Sequence, residues 1–264
     1  MAKSKPIRKC PLCLQTKELQ NSHLMPRALY KKTRWEGMPN PNPGLLTPQG
    51  LIQTPRQVTD YVLCFECEQR FNNNGEKYAM SHVCHRGNFP LLKTLLTSTP
   101  TKSDIVFTWF DQGSTPTIDR DALGYFALSV FWRAAVHEWT IDKGVTHQIH
   151  LGAYEESIRT YLYGQAPFPF NVILMTIVCT DAASQNTFFA PTMSGKKDGL
   201  TTYMFQARGL SFMMTSGEAM IDGMRSLCSV SSVDRWILTR SCEDKIRMAA
   251  ANMGAEAELR KSFP

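Results

Sequence analysis

The chain has 264 residues, of which 43% are hydrophobic and 20% are charged, so its composition is that of a globular protein and excludes intrinsic disorder. Its longest apolar run, residues 170–180, has the length of a strand and is too short to span a membrane. The net charge of +6 is uneven, because residues 1–90 carry thirteen Lys and Arg against six Asp and Glu. This local excess favours a polyanionic partner such as nucleic acid, although it is also typical of a solvated face.

The first 90 residues are predicted to form a small module that needs a metal. A CxxC pair at residues 10–13 precedes two short strand-like segments at 50–54 and 58–63. A helix is expected from Cys67 to residue 83, weakened by its Asn run and by Gly75. Such a unit buries little apolar surface, so a metal ion is expected to hold it together.

Residues 91–264 are predicted to form an α+β domain with two main helices. A strand is expected at 105–110, followed by a long helix at 118–139 that begins with Asp119 and Asp121, acidic residues suited to a helix N-terminus. Its apolar residues point in most directions, which predicts burial on most sides. A second helix is expected over residues 152–163, ending at a glycine.

Trp132, Arg133 and His137 lie within the predicted long helix. They are interpreted as core and interface residues, with a functional His137 as the alternative.

Short β-branched or aromatic segments separated by turns predict an antiparallel sheet of the meander type. These segments are residues 171–180, 187–192, 201–207 and 209–215. Residues 233–238 are a candidate further strand, and a polar helix is predicted after Cys242. The role of this domain stays open between sensing, substrate positioning and dimerisation, the last of which would make the protein a homodimer.

A second CxxC pair, Cys64 and Cys67, lies fifty residues after Cys10 and Cys13. Four thiolates at this spacing predict a closed, tetrahedral zinc site, with a redox pair as the alternative. The N-terminal stretch MAKSKPIRK lacks the apolar core of a secretory signal, so a cytoplasmic location is expected, where such pairs bind metal more often than they form disulfides. A closed site has no open position, so its role would be structural.

The segments SHLMP (22–26) and LCFEC (63–67), with Glu68 directly after them, resemble the HNH endonuclease family. The resemblance covers about residues 8–85 and is to members whose ββα-metal motif is braced by zinc between two CxxC pairs. It implies a nuclease module over residues 1–90, a general base at His23 and a catalytic Mg²⁺ or Mn²⁺ ion bound by Glu68.

Further site residues follow from this resemblance and from helical spacing. Asn72 and Glu76 follow Glu68 at four and eight residues, so a continuous helix would place all three on nearly one face. Asp60 lies near the position of the family's central Asn. Ser22, the residue before the base, is a poor metal ligand, and a solvated helix face is the alternative for the two glutamates.

Basic residues flank both the first CxxC pair and the His23 segment. The candidates for contacts to the phosphates of nucleic acid, with DNA as the expected substrate, are Arg8, Lys9, Arg27, Lys31, Lys32 and Arg34.

Two functions remain open. The first is a metal-dependent HNH-type endonuclease that hydrolyses phosphodiester bonds, in a bacterial defence setting that the resemblance alone implies. The alternative is a catalytically inactive, zinc-stabilised module that binds nucleic acid or protein. The predicted fold class is α+β: a small HNH-like ββα-metal module, then an α+β domain with an antiparallel sheet.

Overall fold

The computed structural model describes residues 4–34, 44–47, 50–53, 56–142 and 145–241. The helix predicted after Cys242 and the end of the strand predicted at residues 50–54 lie outside this part of the chain. Within it, no helix is both long and apolar enough to cross a lipid bilayer.

The first elements are short strands and short helices. In chain order they are β1 (Ile7–Lys9), β2 (Thr16–His23), α1 (Arg27–Lys32), β3 (Gly44–Thr47), β4 (Gly50–Gln53), β5 (Thr59–Cys64), α2 (Phe65–Phe71), a π-turn (Asn72–Glu76), α3 (Lys77–His82) and α4 (Pro90–Leu96).

The remaining elements comprise one long helix and most of the strands. They are β6 (Lys102–Ser103), β7 (Thr108–Phe110), α5 (Arg120–Val136), β8 (Trp139–Asp142), β9 (Val145–His147), α6 (Tyr154–Tyr163), β10 (Val172–Cys179), α7 (Ala182–Asn186), β11 (Phe188–Lys197), β12 (Leu200–Ala207), β13 (Leu210–Ser216), α8 (Asp222–Arg225) and β14 (Ile237–Arg240).

The N-terminal sheet is antiparallel, in the order β1-β2-β5. His23, at the end of β2, lies opposite Thr59, while Cys64 at the other end of β5 lies opposite Leu19. Strand β5 continues without a loop into α2, so the second CxxC pair spans the end of the strand and the first turn of the helix. The paired strands β2 and β5 and the helix α2 therefore form a strand–strand–helix unit, with α1, β3 and β4 between the two strands in the chain.

The helix after Cys64 is continuous but irregular, as its sequence suggested. The π-turn falls on Asn72–Glu76, the Asn-Gly stretch expected to weaken the helix. A Cβ atom on Gly75 would lie 2.6 Å from the backbone nitrogen of Phe126 and 2.8 Å from its Cα. Glycine therefore allows this turn to pack directly on the backbone of α5.

The larger sheet has seven strands in the order β11-β12-β13-β10-β14-β7-β6. All its pairings are antiparallel except that of β10 with β14, which is parallel. The predicted meander is therefore wrong in order, because β10 pairs with β13 rather than with β11, which follows it. Alternation along each strand indicates a pleated segment but carries no information about which strand becomes its neighbour.

Helix α5 is central to the molecule and is buried on nearly all sides, as predicted. Asp119 Oδ1 accepts a hydrogen bond from the Ala122 amide at 2.8 Å, which caps the N-terminus of the helix. On one side Phe126 packs edge-to-face on Phe205 and Phe212 of the large sheet, at centroid distances of 5.9 and 5.6 Å. The helix thus connects the large sheet to the N-terminal elements.

A continuous cluster of buried apolar side chains extends from Cys10 to Ile237. Phe71 of α2, for example, packs on Trp132 of α5 with ring centroids 6.0 Å apart. Residues on both sides of the expected boundary at 90/91 thus share one core, and the division into two domains stays a prediction.

Arginines from the C-terminal part also reach across this boundary to backbone carbonyls. They are Arg133 Nη1 to His23 O (2.9 Å), Arg159 Nη1 to Leu12 O (2.7 Å) and Arg208 Nε to Cys84 O (2.7 Å).

Candidate functional site

The four cysteines predicted as a metal site lie together. The sulfur atoms of Cys10, Cys13, Cys64 and Cys67 are all within 4.8 Å of one another, and those of Cys13 and Cys64 are 3.8 Å apart. A tetrahedral zinc ion with 2.3 Å bonds requires sulfur atoms about 3.8 Å apart. None of the four forms a disulfide. The cluster can therefore hold a metal ion, and its geometry is consistent with a structural zinc site.

The four thiols are close enough to change one another's ionisation. The Cys67 thiol donates to the sulfur of Cys10 and lowers the pKa of Cys10 to about 4. Burial raises the pKa of Cys64 to about 12, and the bond to Cys10 also raises the pKa of Cys67. Thiols this close cannot all ionise next to one another unless a metal ion balances their charge.

His23 lies at the end of β2 with one ring nitrogen engaged. Its Nε2 is 2.7 Å from Oε1 of Gln57, an oxygen that can only accept, so Nε2 carries the proton and Nδ1 keeps its lone pair. The amide oxygen of Gln57 is assigned to face the ring. Burial lowers the pKa of His23, and the nearby charges of Arg133 and Arg27 lower it further. At neutral pH the imidazole is thus uncharged and basic.

Arg133 of α5 bridges the strand and the helix of this site. Its Nη1 donates to the backbone oxygen of His23 at 2.9 Å, and its Nη2 is paired with Oε1 of Glu76. The Arg133 side chain is only 1% exposed, and that of Glu76 is 17% exposed. The Glu76 carboxylate therefore lies on the guanidinium that also binds the His23 strand, and it already balances this buried cation.

Glu68 lies in the first turn of α2, beside Ser22 and near Arg133. Its Oε1 is buried and has no hydrogen-bond partner among the described residues. Burial raises the pKa of this carboxyl, an effect that Arg133 and Ser22 oppose. A buried carboxylate oxygen without a partner is costly unless something pairs with it, so this atom fits a cation ligand.

The π-turn affects how Glu68 and Glu76 are oriented. In a regular α-helix, eight residues correspond to a rotation of about 80° beyond two full turns, at 100° per residue. A π-turn, with its i→i+5 hydrogen bonds, rotates less per residue and brings Glu76 closer to the face of Glu68. Asn72, at the start of the turn, is exposed and is not drawn into this centre.

Asp60 is occupied by a different partner. Its Oδ2 lies 2.9 Å from Nε2 of His137, which follows the last turn of α5.

The Ser22 hydroxyl accepts a hydrogen bond from the Leu63 amide at 3.0 Å and is buried, so Ser22 supports the strand pair. Among the described residues, the cysteine cluster is the one group with three or more potential metal-ligand atoms this close together.

Most of the basic candidates are at the surface. Arg8, Lys9, Arg27, Lys31 and Arg34 are exposed. Lys32 is partly buried, and burial together with the charge of Arg208 lowers its pKa. Helix α1 thus presents Arg27 and Lys31 close after His23 in the chain.

Lys9 lies apart from these helix residues. It borders a cavity of about 320 Å³ together with Glu155, Glu156 and Arg159. Acidic neighbours there make Lys9 the least suited of the six to a phosphate contact.

A separate, open cleft of about 680 Å³ lies where the π-turn and α3 face the start of α5. Its walls include Asn74, Lys77, Tyr78, Asp121 and Tyr161. Neither His23 nor Glu68 borders it, so the cleft is distinct from the centre described above.

Sequence reasoning missed the partners that organise this centre. Arg133 and His137 were assigned to the core and interface, and Gln57 was not considered. The available signal was Arg133 itself, because a charged residue within an otherwise apolar helix must be paired when it is buried.

Comparisons with known proteins identify no relative of this chain. No family model matches it, and neither the curated proteins nor the solved structures include a significant match.

Proposed function

We propose that the protein is a metal-dependent, HNH-type endonuclease whose ββα module is braced by a structural zinc ion at the four cysteines. The observation that carries the proposal is the partly buried His23 ring, held by the 2.7 Å contact of its Nε2 with Gln57. It lies at the end of a strand pair that leads directly into the helix bearing Glu68. These residues have the chemistry that the HNH resemblance requires.

His23 acts as the general base in this proposal. Its Nδ1 accepts a proton from a water molecule as the water oxygen bonds to the phosphorus of the scissile phosphodiester. The bond from phosphorus to the leaving ester oxygen breaks, and that oxygen takes a proton from solvent. Gln57 holds the ring by accepting from Nε2 and thereby keeps Nδ1 available. The lowered pKa of His23 keeps it unprotonated at neutral pH, so the base is ready in the resting enzyme.

Glu68 is the residue that would hold a catalytic Mg²⁺ or Mn²⁺ ion, through its unpartnered Oε1. Such an ion neutralises charge on the scissile phosphate when bound. Mg²⁺ commonly takes only one or two protein carboxylates and completes its shell with water and substrate phosphate, so one carboxylate with an unpartnered oxygen is compatible with this role. The cysteine cluster has no open position and takes no part in the chemistry.

The substrate proposed is DNA, held by its phosphates. Arg27 and Lys31 are exposed on the helix that begins four residues after His23. Contacts to phosphates would give affinity without sequence preference, and that affinity would fall with salt. The setting of bacterial defence and the cytoplasm rests on the resemblance and the sequence alone.

Plasmid cleavage tests the proposal. Purified protein is incubated with supercoiled plasmid and Mg²⁺ or Mn²⁺, beside His23→Ala and the control His82→Ala. His82 bonds the backbone oxygen of Tyr78 and lies on α3, outside the centre. We expect His23→Ala to lose on the order of 10²- to 10⁴-fold in rate, with zinc content unchanged. Equal cleavage by wild type and His23→Ala would refute the proposed base.

The second candidate is a zinc-stabilised module that binds nucleic acid without cleaving it. It is favoured by the fact that Glu76 and Asp60 already have protein partners, which leaves Oε1 of Glu68 as the one buried, unpartnered oxygen among these three carboxylates in the described residues. Tight plasmid binding by wild type, with no cleavage in either metal, would support this candidate over the first.

A further inference from the structure

Arg133 differs from the other arginines that reach the N-terminal part, because it contacts the residue proposed as the base. Its Nη1 donates to the His23 backbone oxygen at 2.9 Å. The side chain is 1% exposed and comes from α5, which lies more than a hundred residues later in the chain. The bond therefore fixes the end of β2 from outside the ββα unit.

The same guanidinium holds the helix on the other side of the centre. Its Nη2 pairs with the Glu76 carboxylate, next to the π-turn glycine that packs on α5. One rigid, planar group thus spans from the strand that carries the base to the helix that carries the carboxylates. A lysine cannot reproduce this arrangement, because its ammonium is a compact point charge without the rigid, planar set of donors that reaches both partners.

Arg133 is itself held from several directions. Its Nε donates to the Ser129 backbone oxygen at 3.3 Å, and its guanidinium carbon lies 5.4 Å from the centroid of the Phe71 ring. Trp139 Nε1 donates to the Arg133 backbone oxygen at 2.8 Å. A group positioned this tightly sets the position of whatever it binds.

We infer that Arg133 is a positioning residue for the proposed nuclease centre: it sets the distance between the base His23 and the α2 carboxylate Glu68 by binding the His23 carbonyl and Glu76 simultaneously. The inference rests on the proposed function and assigns a role to the C-terminal region. That region supplies part of the catalytic geometry, and residues 1–90 depend on α5 for an active arrangement.

The test compares Arg133→Lys with Arg120→Lys in the full-length protein. Arg120 is the matched control, because it lies on the same helix and is 2% exposed. It donates to the backbone oxygens of Thr115 and Asp111 among others, and none of its hydrogen bonds in the described residues reaches the His23 strand. Both variants keep the positive charge but replace a buried planar guanidinium with an ammonium group.

In plasmid cleavage, we expect Arg133→Lys to lower kcat on the order of 10- to 100-fold at nearly unchanged KM, since displacing a catalytic group by about 1 Å can have this effect. Arg120→Lys lowers activity only in proportion to the fraction of unfolded protein. Zinc content and circular dichroism report that fraction. A folded, zinc-loaded Arg133→Lys with wild-type kcat would overturn the inference.

A second readout does not depend on cleavage. The ¹⁵N and ¹H NMR signals of the His23 ring, assigned with His23→Ala, report its hydrogen bond to Gln57. We expect these signals to shift in Arg133→Lys and to remain in place in Arg120→Lys. Unchanged signals in Arg133→Lys would also refute the positioning role. If wild type binds plasmid without cleaving it and the signals shift, the positioning of His23 stands while the nuclease proposal fails.

Discussion

The four-cysteine cluster and the His23 centre lie towards opposite ends of the same strand pair, and they are assembled in different ways. The cluster consists of two CxxC pairs, and each pair is formed by neighbours in sequence. The His23 centre instead draws on Gln57, Glu68, Glu76 and Arg133, with the last contributed by a distant helix. Two short motifs therefore reveal the metal cluster in the sequence, whereas Arg133, a partner in the proposed catalytic centre, is recognised only in the folded chain.

The largest effect is expected from removing one ligand of the cluster. Cys64→Ser should abolish stoichiometric zinc and unfold the N-terminal elements, because structural zinc supplies folding free energy directly. Zinc analysis and circular dichroism measure both changes. The control is Cys228→Ala, which removes a buried thiol outside the cluster and should leave zinc at one per chain. A fully folded Cys64→Ser variant without metal would contradict this expectation, because the four-cysteine cluster would then not need a metal ion to form. The cluster and the His23 centre would no longer differ in this respect.

Gly75→Ala tests whether the packing of the π-turn on α5 holds the His23 centre together. The new methyl group would collide with the backbone of Phe126, which cannot move aside as a flexible side chain can. We expect a loss of about 3 kcal/mol in the free energy of unfolding and a marked fall in cleavage, with zinc retained. Chemical denaturation and plasmid cleavage measure these effects.

Gly223→Ala is the control for this substitution. Nothing lies within 4 Å of the added methyl, and the residue is in a short helix. It should therefore be neutral or slightly stabilising. Equal stability of the two alanine variants would mean that the contact between the π-turn and α5 does not hold the centre together.

The pH dependence of cleavage sharpens the assignment of His23. Protonated His23 cannot accept a proton, so kcat/KM should rise tenfold per pH unit below its pKa and level off above it. Because burial lowers this pKa, the inflection should lie below 6.5. The hydrogen bond to Gln57 raises the pKa, so Gln57→Leu should move the inflection to lower pH. A flat profile with zinc fully retained would exclude His23 as the base.

The smallest effect is expected from the basic helix. Arg27→Ala and Lys31→Ala should each weaken DNA binding a few-fold and reduce the slope of log K against log salt by about 0.9 for each phosphate that the side chain no longer neutralises. Fluorescence anisotropy at several salt concentrations measures this slope. Lys197→Ala, in the exposed β11–β12 hairpin, is the control. An identical slope for all three variants would place the DNA-binding surface elsewhere.

Local patterns predicted much of the fold. The long helix was expected from its Asp119 cap and its apolar residues, and it runs from Arg120 to Val136. The irregularity at Asn72–Glu76 was expected from three asparagines and Gly75. These features are determined by residues close in sequence, and periodicity and capping report on such residues directly.

Long-range pairings could not be predicted in the same way. The parallel contact between β10 and β14, and the pairing of β10 with β13, depend on chain connections that strand patterns do not encode. The same limit applies to the proposed site, where the motif points to His23 and Glu68 but not to Arg133. A buried charge indicates that a partner exists and does not say which residue it is.

The position of Arg133 in the chain has a consequence for synthesis. Chains emerge from the ribosome N-terminus first, so all four cysteines, the last being Cys67, are exposed before α5 has been made. We expect the nascent chain to capture zinc early, while the His23 carbonyl and Glu76 still lack their common partner. If the protein is the proposed nuclease, its centre would stay incomplete near the ribosome until the long helix docks.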